Sequence, residues 1–160
     1  MRHMTAARDS SDVDAATLLA RRAAAAMYAA DGASQAAGMT LEDVGPGRAV
    51  MRMTVAASMI NGHGICHGGY VFLLADSTFA FACNSHNLST VAQSCDIVFV
   101  APVREGDVLV AEAVERVRSG RSGVYDVTVR RESADGSEIV AEFRGRSRTI
   151  AGTLVPVEEN

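Results

Sequence analysis

The sequence contains no lysine, so all fifteen basic residues are arginines, and arginine is the only strong cation available for an anionic ligand. The formal net charge is −4, which gives no electrostatic reason to expect nucleic acid or an anionic membrane as a partner. The chain also lacks an apolar run of the roughly 18–20 residues that span a bilayer. We therefore expect a soluble protein that binds neither nucleic acid nor membrane.

Cysteine is scarce, with thiols at Cys66, Cys83 and Cys95, and we recognise no secretory signal, so we expect a cytoplasmic protein. The sequence has no CxxC or HExxH spacing, no P-loop, no G-x-G-x-x-G after a strand and no G-x-S-x-G elbow. His63, Cys66 and His67 could ligate a metal, but their spacing matches no known motif, so we predict no metal site. Cys66 and His67 are adjacent on a turn, which leaves a thiol nucleophile as a minor alternative.

The residues that are present indicate one domain. A length of 160 residues and a hydrophobic fraction of 48% are sufficient for one sizeable core. We expect a disordered tail over residues 1–11, a single domain over residues 12–152 and a C-terminal tail over residues 153–160. Strong helix formers predict helices over residues 12–30 and 33–37.

Most of the remaining chain is predicted to form β-strands. Alternating apolar residues and glycine-rich turns predict strands over residues 40–44, 48–55, 89–100, 108–117, 124–131 and 137–150. Residues 69–84 are instead apolar nearly all round, which is typical of a helix buried on most sides. The sheet needs a cover and the helix needs burial. We therefore predict an α+β fold in which a long, curved antiparallel sheet wraps around one central helix.

The most informative segment runs from Asn61 to Asp76 and reads N-G-H-G-I-C-H-G-G-Y-V-F-L-L-A-D. His67, Gly68 and Gly69 lead into the buried helix, whose start presents unpaired N–H groups and a positive dipole end suited to a developing oxyanion. Asn61 could donate its side-chain amide to the same oxygen. The alternatives are a tight turn at the glycines and an Asx-turn at Asn61.

Asp76 is a carboxylate inside an apolar helix. Its helical neighbours are all uncharged: Gly69, Phe72, Leu73, Phe79, Ala80 and Cys83. Desolvation on that face would raise the pKa of Asp76 toward neutrality, which is the direction that a general base needs. Alternatively, Asp76 is bonded to Ser77, Thr78 or a nearby backbone group. Both interpretations stay open from the pattern alone.

The run N-G-H-G-I-C-H-G-G-Y-V-F-L-L-A-D-S-T-F-A-F-A-C-N-S-H resembles the signature of the hotdog-fold acyl-CoA thioesterases of phenylacetate degradation, the PaaI type. The similarity continues through A-Q-S-C-D-I-V-F-V-A-P-V-R-E-G-D-V-L, G-V-Y-D-V-T-V and F-R-G-R-S, and covers residues 22–150. The resemblance implies a hotdog fold. It also implies hydrolysis of phenylacetyl-CoA, or of a ring-hydroxylated relative, to the free acid and CoA.

The same resemblance implies a role for each motif residue. Asp76 would act as a general base on water or as a nucleophile, and the N–H of Gly68 would polarise the thioester carbonyl. Asn61 and His67 would position the thioester, and Ser94 would orient water beside the carboxylate. Each site would lie across a dimer interface, and two dimers would form a tetramer. Neither a metal nor a redox cofactor would be needed. Coenzyme A would be part of the substrate and not a cofactor.

Candidates for substrate binding follow from the same segment: Gly69, Tyr70, Phe72 and Phe79. For the three aromatic residues the alternative is core packing, which we favour for at least two of them. Arg144, Arg146 and Arg148 could meet CoA phosphates or form a solvated sheet face. Two rival functions also stay open, an acyl-thioester dehydratase or hydratase of the same fold and a non-catalytic acyl-CoA-binding module. The complete set of Asn61, the His-Gly-Gly motif and the helix Asp favours catalysis.

Overall fold

A computed structural model describes residues 10–157, with side chains from residue 15 onward. All predicted helices and strands are present, and each end lies within two residues of its predicted position. Residues 1–9 of the predicted N-terminal tail and residues 158–160 of the predicted C-terminal tail lie outside the described part. The elements are α1 (Ser10–Ala30), α2 (Gly32–Ala36), β1 (Thr40–Gly45), β2 (Arg48–Thr54), a 3-10 turn (Ala57–Met59), α3 (Gly68–Asn84), β3 (Thr90–Phe99), β4 (Val108–Ser119), β5 (Ser122–Ser133) and β6 (Gly136–Thr149).

The six strands form one antiparallel sheet in the order β1-β2-β4-β5-β6-β3. The central helix α3 contacts every strand of this sheet, while α1 packs against β1 and α3. The sheet is open, so β1 and β3 are its two edges. The predicted architecture, a curved antiparallel sheet around one central helix, is therefore confirmed.

The alternation predicted along the strands is present in the core. Ala49, Met51 and Met53 of β2 are fully buried, whereas Arg48 and Arg52 form ion pairs on the outer face. Strand β5 repeats this pattern with three buried side chains: Tyr125, Val127 and Val129. Because every second residue of a strand points to the same face, this burial orients the sheet around α3.

A partly buried polar cluster joins the C-terminal end of α3 to strands β4 and β5. The hydroxyl of Tyr125 donates to Glu115 Oε2 at 2.7 Å, and the Nε2 atom of His86 lies 2.7 Å from the same oxygen. Burial acts to raise the pKa of Glu115, but the hydrogen bonds from Tyr125 and His86 outweigh it and hold the pKa below its ordinary value. The cluster therefore stabilises the fold most when Glu115 is ionised.

Replacing Tyr125 by Phe is expected to lower the free energy of unfolding by about 1–3 kcal/mol at neutral pH, because a hydrogen bond to a charged group is lost. The loss should shrink as pH falls through the lowered folded pKa of Glu115, since a carboxyl with a lowered pKa contributes its stability above that value. Urea unfolding at several pH values measures it. Tyr28→Phe is the control, because Tyr28 donates to the backbone oxygen of Met39 and its loss should not vary with pH.

Candidate active site

At the start of α3, one of the two glycine N–H groups is free and the other is hydrogen-bonded within the described chain. His67 caps the helix, and its Nδ1 accepts the N–H of Gly69 at 2.9 Å, so a neutral His67 carries its proton on Nε2. The N–H of Gly68 has no hydrogen-bond partner within residues 10–157. Gly68, and not Gly69, is therefore positioned to donate to a ligand at the positive end of the helix.

Asn61 supports the loop and keeps a donor available. Its Oδ1 accepts the backbone N–H groups of His63 at 2.9 Å and Ile65 at 3.4 Å, which is the Asx-turn considered above. These two bonds fix the amide orientation, because only the oxygen can accept. The Nδ2 group makes no hydrogen bond in the described chain. The structural and the functional interpretation of Asn61 are thus compatible.

Gly68 and Asn61 line a cavity of about 430 Å³ whose other walls are largely apolar. The ring of Phe99 closes it over Gly68, since a Cβ added at Gly68 would lie 2.9 Å from Phe99 Cζ. The size is within the range of small-molecule sites. No motif or spacing in the sequence points to Phe99. The remaining lining residues are Ile65, Cys66, Val71, Val100, Ala101, Pro102, Val103 and Val140.

Asp76 is half-buried on the side of α3 that faces β3. Burial raises the pKa of its carboxyl, and a contact with the thiol of Cys95 opposes that rise. The Sγ atom of Cys95 lies 3.9 Å from Asp76 Oδ1. The predicted direction of the pKa is thus confirmed, and no hydrogen bond joins Asp76 to Ser77 or Thr78 among the described residues.

Ser94 is not in hydrogen-bond contact with Asp76 within the described subunit. It is exposed and pairs with Arg146 on β6, whose side chain lies on the outer face of the sheet. An irregularity between Ala92 and Ser94 interrupts the strict alternation of β3. As a result, the next residue, Cys95, faces α3. The role that the resemblance implies for Ser94 stays a prediction.

The predicted aromatic candidates lie outside the wall of this cavity. Phe79 is fully buried, and its ring contacts Tyr125 and occupies the space over Gly145, where an added Cβ would lie 2.8 Å away. Phe72 packs edge-on against Phe143 at 5.5 Å between ring centroids. Tyr70 is half-buried and packs on the core. Core packing, the alternative favoured for at least two of the three, describes Phe72 and Phe79.

The two chemical halves of the site are far apart within one subunit. Asp76 lies eight residues after Gly68 in one continuous helix, which corresponds to about 12 Å along the axis. A hydrogen bond spans about 3 Å, so one carbonyl cannot contact both groups. A site that uses both therefore needs Gly68 from one subunit and Asp76 from another.

Two of the three arginines considered as partners of CoA phosphates form ion pairs with carboxylates of the sheet. Arg144 pairs with Asp126 through two bonds of 2.6 and 2.8 Å, and Arg146 pairs with Asp96 at 3.2 Å, as on a solvated sheet face. Within residues 10–157, no three His, Cys, Asp or Glu side chains are grouped so as to hold a metal ion. Over the same residues, no helix has the length and apolar character to cross a membrane.

Comparisons of the sequence and of the structure with known proteins both find thioesterases. The sequence profile of the thioesterase superfamily matches residues 63–137. The chain is 44% identical over 129 residues to the acyl-coenzyme A thioesterase PaaI of Escherichia coli, covering 81% of this chain and 90% of that protein. The structure of E. coli PaaI superposes with a TM-score of 0.82 at 43% identity, over 86% of this chain and 97% of that one.

A second structure extends this likeness beyond one organism. A variant of the phenylacetic acid degradation protein PaaI from Thermus thermophilus matches with a TM-score of 0.70 at 35% identity, over 75% of this chain and all of that one. These matches confirm the predicted hotdog fold. By its sequence, its fold and the geometry at the start of α3, the chain belongs to the thioesterase superfamily.

Proposed function

We propose that this protein is an acyl-CoA thioesterase that hydrolyses phenylacetyl-CoA, or a ring-hydroxylated relative, to the free acid and CoA. The observation that carries the proposal is the unpartnered N–H of Gly68, at the start of a buried helix and in the wall of an apolar cavity. A thioester carbonyl placed there would accept this N–H as it gains negative charge. The relative named an acyl-coenzyme A thioesterase supports the same reaction class.

In the proposed reaction, one subunit stabilises the carbonyl oxygen and the other supplies the base. The carbonyl oxygen accepts the N–H of Gly68 and the Nδ2–H of Asn61. Asp76 of the partner subunit removes a proton from water, and the new hydroxyl adds to the carbonyl carbon. When the C–S bond breaks, the protonated carboxyl returns its proton to the leaving thiolate of CoA. Nucleophilic attack by the carboxylate itself is the variant of this scheme that the resemblance also implies.

The chemistry of the cavity wall fits the acyl group better than the rest of the substrate. Side-chain polarity in the wall is confined to Asn61 and the thiol of Cys66, whereas the pantetheine arm of CoA carries amides that need hydrogen-bond partners. Phe99 offers an aromatic face to an aryl ring. We therefore place the acyl group in this cavity and the CoA moiety outside it. Neither a metal nor a redox cofactor takes part in the scheme.

The same proposal requires a dimer. Strand β3 is ten residues long and its outer edge has no neighbour in the described chain, so its backbone groups are free to pair with a second copy. Large apolar side chains are exposed on it and just after it: Val91, Val98, Phe99 and Val100. Pairing two β3 strands would cover these groups. We propose a homodimer with sites at this interface, two dimers in a tetramer, and a cytoplasmic location.

Two inactive variants are expected to restore each other's activity. Gly68→Pro removes the N–H half of the site, and Asp76→Asn removes the base half. When equal amounts are unfolded and refolded together, half of the dimers are hybrids with one intact site, so about a quarter of the wild-type activity should return. Each variant refolded alone is the control. A mixture as inactive as its components would contradict a site shared between subunits.

Thiol release from a panel of aliphatic and aryl acyl-CoAs tests the activity and the acyl group together. We expect the highest kcat/KM for phenylacetyl-CoA and its hydroxylated relatives. Phe99→Ala should lower this preference roughly 10-fold or more, since one buried aromatic contact is worth about 1–3 kcal/mol. Val117→Ala is the control, since Val117 is an exposed residue of β4 that lies outside both the cavity and the proposed β3 interface.

The products separate the rival functions. A dehydratase or hydratase would change the mass of the acyl-CoA without releasing thiol. A binding module would retain acyl-CoA intact. Either result would contradict the proposed hydrolysis, and a flat acyl profile with rapid thiol release would contradict only the aryl assignment.

A further inference from the structure

The carboxylate of Asp76 has two unequal oxygens. Oδ1 faces the thiol of Cys95, with Sγ at 3.9 Å, and this is the hydrogen-bonding contact that the described chain provides. Oδ2 has no hydrogen-bond partner within residues 10–157. One oxygen is therefore held from within the subunit, and the other is open to a reactant.

Packing of the neighbouring residues explains why this thiol reaches Asp76. Cys95 pairs across the strands with Gly145 on β6. Since Gly145 has no side chain, the ring of Phe79 fills the space above it. Asp76 lies one helical turn before Phe79, so the strand side chain and the carboxylate come together at this level of α3.

A thiol is an unusual choice of donor, and its weakness has a chemical consequence. A hydroxyl or backbone N–H at this position would stabilise the charged carboxylate strongly and make it a poorer base. An aliphatic side chain would leave both oxygens unheld. We propose that Cys95 is a positioning residue: its S–H holds Oδ1 of Asp76, so that Oδ2 faces the reactant while the carboxylate remains basic. This inference rests on the proposed role of Asp76.

The surroundings keep the thiol in its donor form. Burial and the negative charge of Asp76 raise the pKa of Cys95 to about 11, so the sulfur retains its proton at neutral pH. Cys83, on α3, is also uncharged there, because burial raises its pKa to about 12. Besides Asp76, the charged groups that act on Cys95 are Asp96 on β3 and Arg146 on β6, and these pair with each other on the outer face.

The test reads Asp76 directly, in the intact protein. Cys95→Val keeps about the same volume and removes the S–H, and Cys95→Ala is the second variant should Val disturb packing. The NMR signal of the Asp76 carboxyl carbon is followed as a function of pH. This signal is assigned by its absence in Asp76→Asn. We expect its pKa to rise by about half to one unit in both variants, and the acid limb of kcat/KM to move by the same amount.

Cys83→Ala is the matched control, since it removes another buried thiol of the same region whose hydrogen bonds go to Ala80 and Asn84 instead of Asp76. It should leave the titration of Asp76 in place. An unchanged pKa of Asp76 in both Cys95 variants would overturn the inference. If that pKa moves while Asp76→Asn retains full activity, the contact stands but the base assignment fails, and with it the positioning role.

Discussion

Replacing Asp76 by Asn is expected to lower kcat/KM by about 10²–10⁴-fold, the usual contribution of a general base. Asn has nearly the same size but cannot take a proton. The fold should survive, because the carboxylate's contact in the described chain is a neutral thiol and no charged partner is left unpaired. Removing a half-buried charge also removes its desolvation cost, so the variant should be at least as stable as the wild type at neutral pH.

The pH dependence of stability gives this prediction a second readout. The folded-state pKa of Asp76 lies above its ordinary value of 3.8 because of burial. A carboxyl with a raised folded pKa favours folding at low pH and loses that contribution as pH rises through the folded pKa. The stability advantage of Asp76→Asn over wild type should therefore grow over the same range. Wild-type activity should fall as pH drops below that pKa.

Thiol release, thermal unfolding at several pH values and size-exclusion chromatography measure the three parts of the prediction. Asp135→Asn is the control, since Asp135 is an exposed residue in the turn between β5 and β6. Wild-type-like kcat in Asp76→Asn would contradict its assignment as the base. Loss of both activity and oligomer would instead indicate a structural role.

The sequence predicts the inner strands β2, β4, β5 and β6 well because each of them buries one face. On β2, Met51 and Met53 alternate with Arg52, and a period of two allows one orientation against the core. Helix α3 is different, because a segment that is apolar all round has no preferred face. Periodicity therefore locates the helix but cannot say whether Phe72 and Phe79 line a cavity or pack in the core.

The residues that the sequence does not reveal lie on β3. Strict alternation would place Ala92, Ser94 and Asp96 on one face, but the irregularity after Ala92 shifts the pattern and brings Cys95 to the helix. Phe99, at the end of β3, lies over Gly68 at the start of α3, and no local pattern encodes a contact between residues this far apart in the sequence. Contacts of this kind depend on register and curvature, and both arise from the whole fold.

The second large effect is expected at Gly68, where the N–H can be removed without breaking the helix. Gly68 is the first residue of α3, a position at which proline is well tolerated because its N–H has no helical partner. The preceding residue, His67, has a ψ of 130°, which is compatible with a following proline. Gly68→Pro should therefore fold and delete one donor from the site.

Comparison with Gly68→Ala separates the effect of losing the N–H donor from the effect of the added side chain. Both variants add a Cβ that would lie 2.9 Å from the Phe99 ring, and this half-exposed ring can turn aside in either case. Only Ala keeps the N–H. If that amide stabilises the oxyanion, kcat of Gly68→Pro should fall about 10²–10³-fold below that of Gly68→Ala. Equal kcat values in two folded variants would show that the amide does not act on the transition state, and the proposed oxyanion site would be wrong.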